Sequence, residues 1–295
     1  TEQGLKRAID LFQQAVDLDP SYALAHVGLA DSNLLLIEYG RARLADANPK
    51  AKAHAQKALE LDDDLAEAHV SLAAISENEF DWKEAERKYR RAIELRPGYA
   101  TAHHWYALLL LRNGRFAEGR AEAERARQLD PVSLIINNLI GVVSMYAREY
   151  PRAIGEFTRT LELDPAFPPA QRGLRDAYFH SSRYADALAV HDKLSEKGPE
   201  EVACRAQILL ALGDRAAATS LLRELEDPST AQPVSPASLA GVYVFLDEKE
   251  QALLLLERAY AEHDFRLAGL KTHPDWDPLR SDPRFQRLLR QVNLE

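Results

Sequence analysis

An all-α solenoid of antiparallel helix pairs is the fold class the sequence predicts, and three observations predict it. Pro97, Pro131 and Pro165 stand 34 residues apart, and Asp63 holds the same place one period earlier. Each closes a near-copy of one phrase: ALELDD, AIELRP, ARQLDP and TLELDP. Between these closures apolar residues recur at helical spacing. A 34-residue period is the length of two short helices and two tight turns, so the chain reads as stacked helix pairs. Such a stack offers a binding surface rather than a catalytic pocket.

The elements follow in order. AIDLFQQAVDLDP at 8–20 is a second helix without its first, giving a partial repeat over 5–20. The next first helix begins near Tyr22, and its partner is centred on Ala51–Leu61. That repeat, 22–63, carries extra residues around Glu38–Asn48, which predict an extended helix with a longer corner, with a projecting binding feature as the alternative. The clearest unit is 66–97. Its first half puts Ala66, His69, Leu72, Ala73 and Ser76 on one side, and its second half groups Trp82, Ala85, Tyr89, Ala92 and Ile93. Ala73 and Ala85 let two backbones approach, while Leu72, Tyr89 and Leu95 fill the space between pairs. Neither amphipathic helix hides its apolar stripe alone, so stacking on neighbours supplies the stability.

The unit recurs at 100–131 through Tyr106, Ala107, Gly114, Phe116 and Ala126, and at 134–165 through Ile140, Gly141, Tyr150, Ala153 and Phe157. It recurs at 168–197 through Leu174, Tyr178, Tyr184, Ala187 and Leu194. The spacing then drifts over 199–228 and 233–262, with Glu226–Pro236 as the loop candidate. The solenoid is expected to end at 262, and 263–295 reads as a capping segment. There Asp282 and Pro283 form an N-cap and first turn, with Phe285, Leu288 and Leu289 packing onto the last pair.

Composition bounds the function. The 295 residues are 46% hydrophobic and 28% charged, with a formal net charge of −9. That balance argues against direct nucleic-acid binding. A lone cysteine, Cys204, excludes intrachain disulfides and thiolate metal clusters and fits a cytoplasmic location, with an extracytoplasmic one left open. No secretory leader stands at the start, and the longest apolar runs, such as YALLLL at 106–111, cannot span a bilayer. The chain opens inside a helical pattern, which reads as a region excised from a longer protein.

These positions resemble the tetratricopeptide repeat family. In 66–97 the matching residues are His69, Leu72, Ala73, Ser76, Ala85, Tyr89, Ala92 and Pro97, with His69 and Ser76 departing from the consensus. In 134–165 they are Asn137, Ile140, Gly141, Ser144, Ala153, Phe157, Thr160 and Pro165. The likeness covers nearly all of 5–262 and implies a right-handed superhelix. AKAHAQKALELDDDLAEAHVSLA, ATAHHWYALLL and WDPLRSDPRFQRLL are also similar to the C-terminal repeat regions of bacterial multidomain signalling proteins, which follow winged-helix regulators or serine/threonine kinase domains.

The resemblance implies a non-catalytic scaffold that binds a protein or peptide, including a domain of the same full-length chain, in a groove lined by first helices. A structural or oligomerising arm, with self-association, is the alternative. The second, fifth, ninth and twelfth positions of each first helix face the groove in that family. Here they are Glu67, Val70, Ala74 and Glu77; Thr101, His104, Leu108 and Leu111; Ile135, Asn138, Val142 and Met145; and Pro169, Arg172, Asp176 and Phe179. An apolar floor with polar residues at intervals suits an amphipathic helix or an extended peptide. Asn138 offers both a donor and an acceptor to a peptide backbone, and Arg172 suits a carboxylate.

No cofactor, metal or catalytic group is expected. His103 and His104 are adjacent on a helix, so their imidazoles diverge; the resemblance puts His103 at the family's core position, a packing role, and turns His104 toward the groove, where a proton-sensitive contact is the lesser of its readings. Asp62, Asp63 and Asp64 lack the spacing and glycine of a calcium loop. Cys204 reads as a buried or semi-buried thiol, Gly114 and Gly213 mark corners, and neither a phosphate cradle nor a triad signature is present.

Overall fold

The computed structural model describes residues 2–39, 42–195, 198–227 and 234–295. Their regular structure is helical throughout: α1 (Glu2–Leu18), α2 (Ala23–Glu38), α3 (Leu44–Leu61), α4 (Ala66–Asn78), α5 (Trp82–Leu95), α6 (Ala100–Arg112), α7 (Phe116–Leu129), α8 (Leu134–Tyr146), α9 (Tyr150–Leu163), α10 (Pro168–His180), α11 (Tyr184–Asp192), α12 (Pro199–Ala211), α13 (Arg215–Glu226), α14 (Pro236–Phe245), α15 (Lys249–Ala261) and α16 (Pro283–Gln291). Two short 3₁₀ turns, Phe265–Gly269 and Pro274–Leu279, stand between α15 and α16. The paired antiparallel helices make an all-α solenoid.

Two backbone devices set the period. The corner inside a pair is a single left-handed residue: Phe80, Gly114, Arg148, Ser182, Gly213 and Asp247, the first four 34 residues apart. Around each, the chain doubles back to satisfy the carbonyls that a helix end leaves open, as when Glu149 N–H donates to Ser144 O at 2.9 Å and Arg148 N–H to Met145 O at 2.9 Å. Glycine takes that conformation without strain, yet it fills only two of these corners.

The turn between pairs is closed by side chains. Asp19, Asp62 and Asp164 each accept from the backbone N–H two residues on, at 2.9, 3.2 and 2.9 Å. The fourth residue of the following helix then reaches back six positions. Asn137 Nδ2 donates to Pro131 O at 2.9 Å, Gln171 Nε2 to Pro165 O at 2.8 Å, and His103 Nε2 lies 3.1 Å from Pro97 O. A carbonyl only accepts, so His103 carries its proton on Nε2. The buried His103 is therefore a turn lock as well as packing.

The chain divides into two compact units, Thr1–Leu110 and Leu111–Glu295. In the first, α2 packs on α1 and α3, and α4 on α3 and α5. The extra residues around 38–48 lengthen both helices of that pair, to 16 and 18 residues against 13 and 14 in α4 and α5; Gly40 and Arg41 lie outside the described residues. Its core is rich in alanine: Ala30, Ala51, Ala55 and Ala58 are fully buried, so the backbones approach closely. The second unit is built around Phe157, which is fully buried with Met145, Ala153, Ala170, Leu174 and Ala177. The expected loop at 226–236 falls mostly on residues 228–233, outside the described ones.

In the second unit the Asp282 carboxylate caps α16 by accepting from Arg284 N–H at 2.7 Å. Phe285, Leu288 and Leu289 are buried, and Arg284 pairs bidentately with Glu257 of α15 at 2.8–2.9 Å.

Candidate functional site

The first-helix positions predicted to face a groove fall into two sets. In the first unit they carry acids. Glu67 of α4 pairs with Arg96, whose guanidinium stands 4.3 Å over the Tyr99 ring. Glu77 is buried and accepts from the Tyr89 hydroxyl at 2.7 Å. Asp31, at the ninth position of α2, accepts from Ser71 Oγ at 2.5 Å. Burial pushes its carboxyl up to about 6; the nearby Glu67 adds to that rise and the Ser71 bond opposes it. Burial first, with Asp31 and Glu67 behind it, raises the Tyr99 phenol to about 12. Val70 is buried, Thr101 is exposed and Leu108 is half-buried. His104 is buried, its ring stacked on Trp105 at 5.1 Å.

In the second unit Leu111, Met145 and Phe179 are buried. Met145 belongs to the cluster around Phe157, with the half-buried Val142 packed against it. Phe179 meets Phe245 at 4.9 Å between ring centres and Tyr184 at 5.6 Å. Asn138 is 6% exposed, and its buried Oδ1 has no hydrogen-bond partner. Arg172 is half-buried, 3.8 Å from Glu201 Oε1. Asp176 accepts from Arg175 Nε at 2.7 Å, and the buried Arg175 also binds Glu201. Desolvation raises the pKa of the half-buried Cys204 thiol to about 12, with Arg175 opposing the rise and Asp176 and Glu201 adding to it. A thiol so held is a poor nucleophile.

A further segment lies along the ends of these first helices. The 3₁₀ turns and their flanks run past α8, α10 and α14: Tyr146 meets the His273 ring edge-on at 5.4 Å, His180 meets it at 5.6 Å, and Arg148 pairs with Asp277 at 2.9 Å. A Cβ on Gly241 of α14 would stand 3.7 Å from Asp275 Oδ2. Burial is the main reason the His180 imidazole titrates below its ordinary value, with His273 and Arg148 adding to it and Asp275 opposing. Reading the second, fifth, ninth and twelfth positions missed His180, which is the thirteenth residue of α10, and its partners His273 and Asp275. The run HPDWD marks a turn in the sequence but carries no sign of what it folds against.

The tetratricopeptide repeat family model matches residues 81–133 and 139–201. The type IV pilus assembly protein PilF of Pseudomonas aeruginosa is 26% identical over 183 residues, which cover 57% of this chain and 73% of that protein. The transcriptional regulator HilA of Salmonella typhimurium is 25% identical over 159 residues, covering 54% of this chain and 28% of HilA. The chain thus spans under a third of that regulator. The crystal structure of PilW, a type IV pilus biogenesis factor, superposes with a TM-score of 0.56 over 72% of this chain and 97% of its own, at 24% identity, and shows the shared fold. No helix among the described residues is long and apolar enough to cross a membrane.

Proposed function

We propose that this chain, whose residues 81–133 and 139–201 match the tetratricopeptide repeat model, is a non-catalytic scaffold that binds a protein or peptide along its first-helix face, as the interaction or sensory region of a larger regulatory protein. The observation that supports this reading is Asn138 Oδ1, a buried acceptor without a hydrogen-bond partner at a position that the family resemblance turns toward the groove. Such an atom costs about 1–3 kcal/mol while unsatisfied, and a peptide N–H recovers that cost. Arg172, which stands 3.8 Å from Glu201, is the cation that a peptide carboxylate would meet at the corresponding position of α10, and Val142 supplies an apolar contact. The likeness to a transcriptional regulator supports the regulatory role.

Fluorescence anisotropy with peptides tiled from the rest of the full-length chain, and from proteins encoded beside it, tests the reading. At least one peptide is expected to bind, and Asn138→Ala and Arg172→Ala each weaken it about tenfold, roughly 1.4 kcal/mol. Absence of binding by every peptide, or wild-type affinity retained in both variants, overturns the assignment.

A structural or oligomerising arm is favoured by α1, where Leu11 and Leu18 are 55% and 88% exposed. Sedimentation across a concentration series separates the two readings, since a monomer throughout removes self-assembly as the role.

A further inference from the structure

Outside the positions discussed for peptide binding, one cluster brings together three metal-ligating side chains from distant parts of the sequence. His180 ends α10, while His273 and Asp275 flank Pro274 at the start of a 3₁₀ turn. One ligand atom from each lies within 4.8 Å of the other two. His180 Nε2 stands 3.5 Å from Asp275 Oδ1, and His273 Nδ1 stands 3.6 Å from Asp275 Oδ2. Around a tetrahedral ion with bonds of about 2.0–2.2 Å, neighbouring ligand atoms sit about 3.3–3.6 Å apart, and the two histidines lie that far from opposite oxygens of the Asp275 carboxylate. We propose that His180, His273 and Asp275 form a binding site for a divalent transition-metal ion such as Zn²⁺, which fastens the segment before α16 to the end of α10.

The surroundings fit a ligand set better than an ion pair. The three side chains are 9%, 25% and 15% exposed. Asp275 Oδ1 is buried without a hydrogen-bond partner, so a carboxylate is held away from water with one oxygen unanswered. His273 Nδ1 accepts a long hydrogen bond from the Asp275 backbone N–H at 3.3 Å, so that nitrogen is unprotonated and an ion bound there would take over the lone pair that this bond uses. Aromatic rings wall the site: Tyr146 edge-on to His273 at 5.4 Å, Tyr150 against His180 at 6.3 Å and Phe179 edge-on to His180 at 5.2 Å. The nearby cation, Arg148, gives Nη2 to Asp277 at 2.9 Å, while its Nη1 is buried without a hydrogen-bond partner. Two imidazoles and one carboxylate select zinc, cobalt, nickel or iron(II) over magnesium and calcium. Three protein ligands leave a fourth position for water or a donor from a bound partner.

The ion would link residues 180 and 275, far apart in the chain, and so stabilise the folded state in proportion to its occupancy. The test uses the whole chain, stripped of metal with a chelator and titrated with Co²⁺, whose visible absorption reports tetrahedral ligation, followed by displacement with Zn²⁺. One equivalent is expected to bind, Zn²⁺ is expected to raise the melting temperature, and His273→Gln and Asp275→Asn are each expected to weaken binding at least about tenfold while the far-UV circular dichroism stays unchanged. His180→Ala serves as a third variant, and the two partly exposed positions carry the test if it misfolds. A wild-type chain with no one-equivalent cobalt spectrum, or binding undiminished in both His273→Gln and Asp275→Asn, overturns the assignment.

Discussion

The two units contain the same small pair in different states. Gly28 faces Phe12 in the first unit and Gly173 faces Phe157 in the second, each glycine 16 residues after its ring. A Cβ on either glycine would run into the aromatic side chain. Phe12, however, is 36% exposed, whereas Phe157 is fully buried beneath Met145, Leu174 and Ala177. One ring has water to move into and the other has nowhere to go. A second pair makes the same point with charge. Asp31 and Asp176 both occupy the ninth position of a first helix; Asp31 has a serine hydroxyl for a partner and Asp176 has an arginine. Equivalent places in a repeat share backbone geometry, while the neighbours decide what a side chain there costs or contributes.

The largest expected effect breaks the charged pair. Asp31 is raised from 3.8 to about 6 in the folded state. Between those values the folded chain holds a proton that the unfolded chain has lost, so stability falls as pH rises through this window and is lowest above it. Asp31→Asn keeps an acceptor for Ser71 and removes the buried charge. Urea denaturation should show it more stable by about 3 kcal/mol at pH 7, with the slope between pH 4 and 6 flattened. The matching Asp176→Asn should go the other way, by about 1 kcal/mol, because the buried Arg175 keeps only Glu201. Equal signs for the two variants would refute the contrast.

Next comes the glycine pair. Gly173→Ala should destabilise by about 2 kcal/mol through overpacking against Phe157. Gly28→Ala should be neutral or mildly stabilising, since alanine favours a helix by about 1 kcal/mol and Phe12 can swing aside. Thermal melts of the two variants side by side read the difference, and a loss of equal size in both would show that Phe12 is as confined as Phe157.

The smallest effect sharpens the comparison at the corners. Ser182 is exposed with φ of 62°, while Phe80, its counterpart in the first unit, holds the same conformation with its ring buried. Ser182→Gly should gain about 0.5–1 kcal/mol, since glycine tolerates positive φ and no packing is lost. No gain in the denaturation midpoint would mean that this corner carries no strain.

Much of the fold was legible because it repeats. The 34-residue interval of Pro97, Pro131 and Pro165 located the turns, and small residues at Ala73, Ala85, Gly141 and Ala153 located the close approaches. The corners at Arg148 and Ser182 were less visible, since only Gly114 and Gly213 signal positive φ by their identity. The turn lock at His103 was half legible: its place in the core followed from the resemblance to the family, but its bond to Pro97 O needed coordinates. The groove positions named from the family mix several environments. Thr101 is exposed, Glu77 is occupied by Tyr89, and Met145 and Phe179 fill cores. Alignment with a family gives the direction of a side chain and leaves open how deeply it is covered.

By itself the sequence determined the helices, their pairing and the spacing of their turns, because each of these depends on residues within about one repeat of one another. Tertiary structure alone decided which acids lost their water, which ring was locked, and that His180 would meet His273 and Asp275. Those outcomes depend on desolvation and on contacts between segments far apart in the chain, and local periodicity carries no record of either.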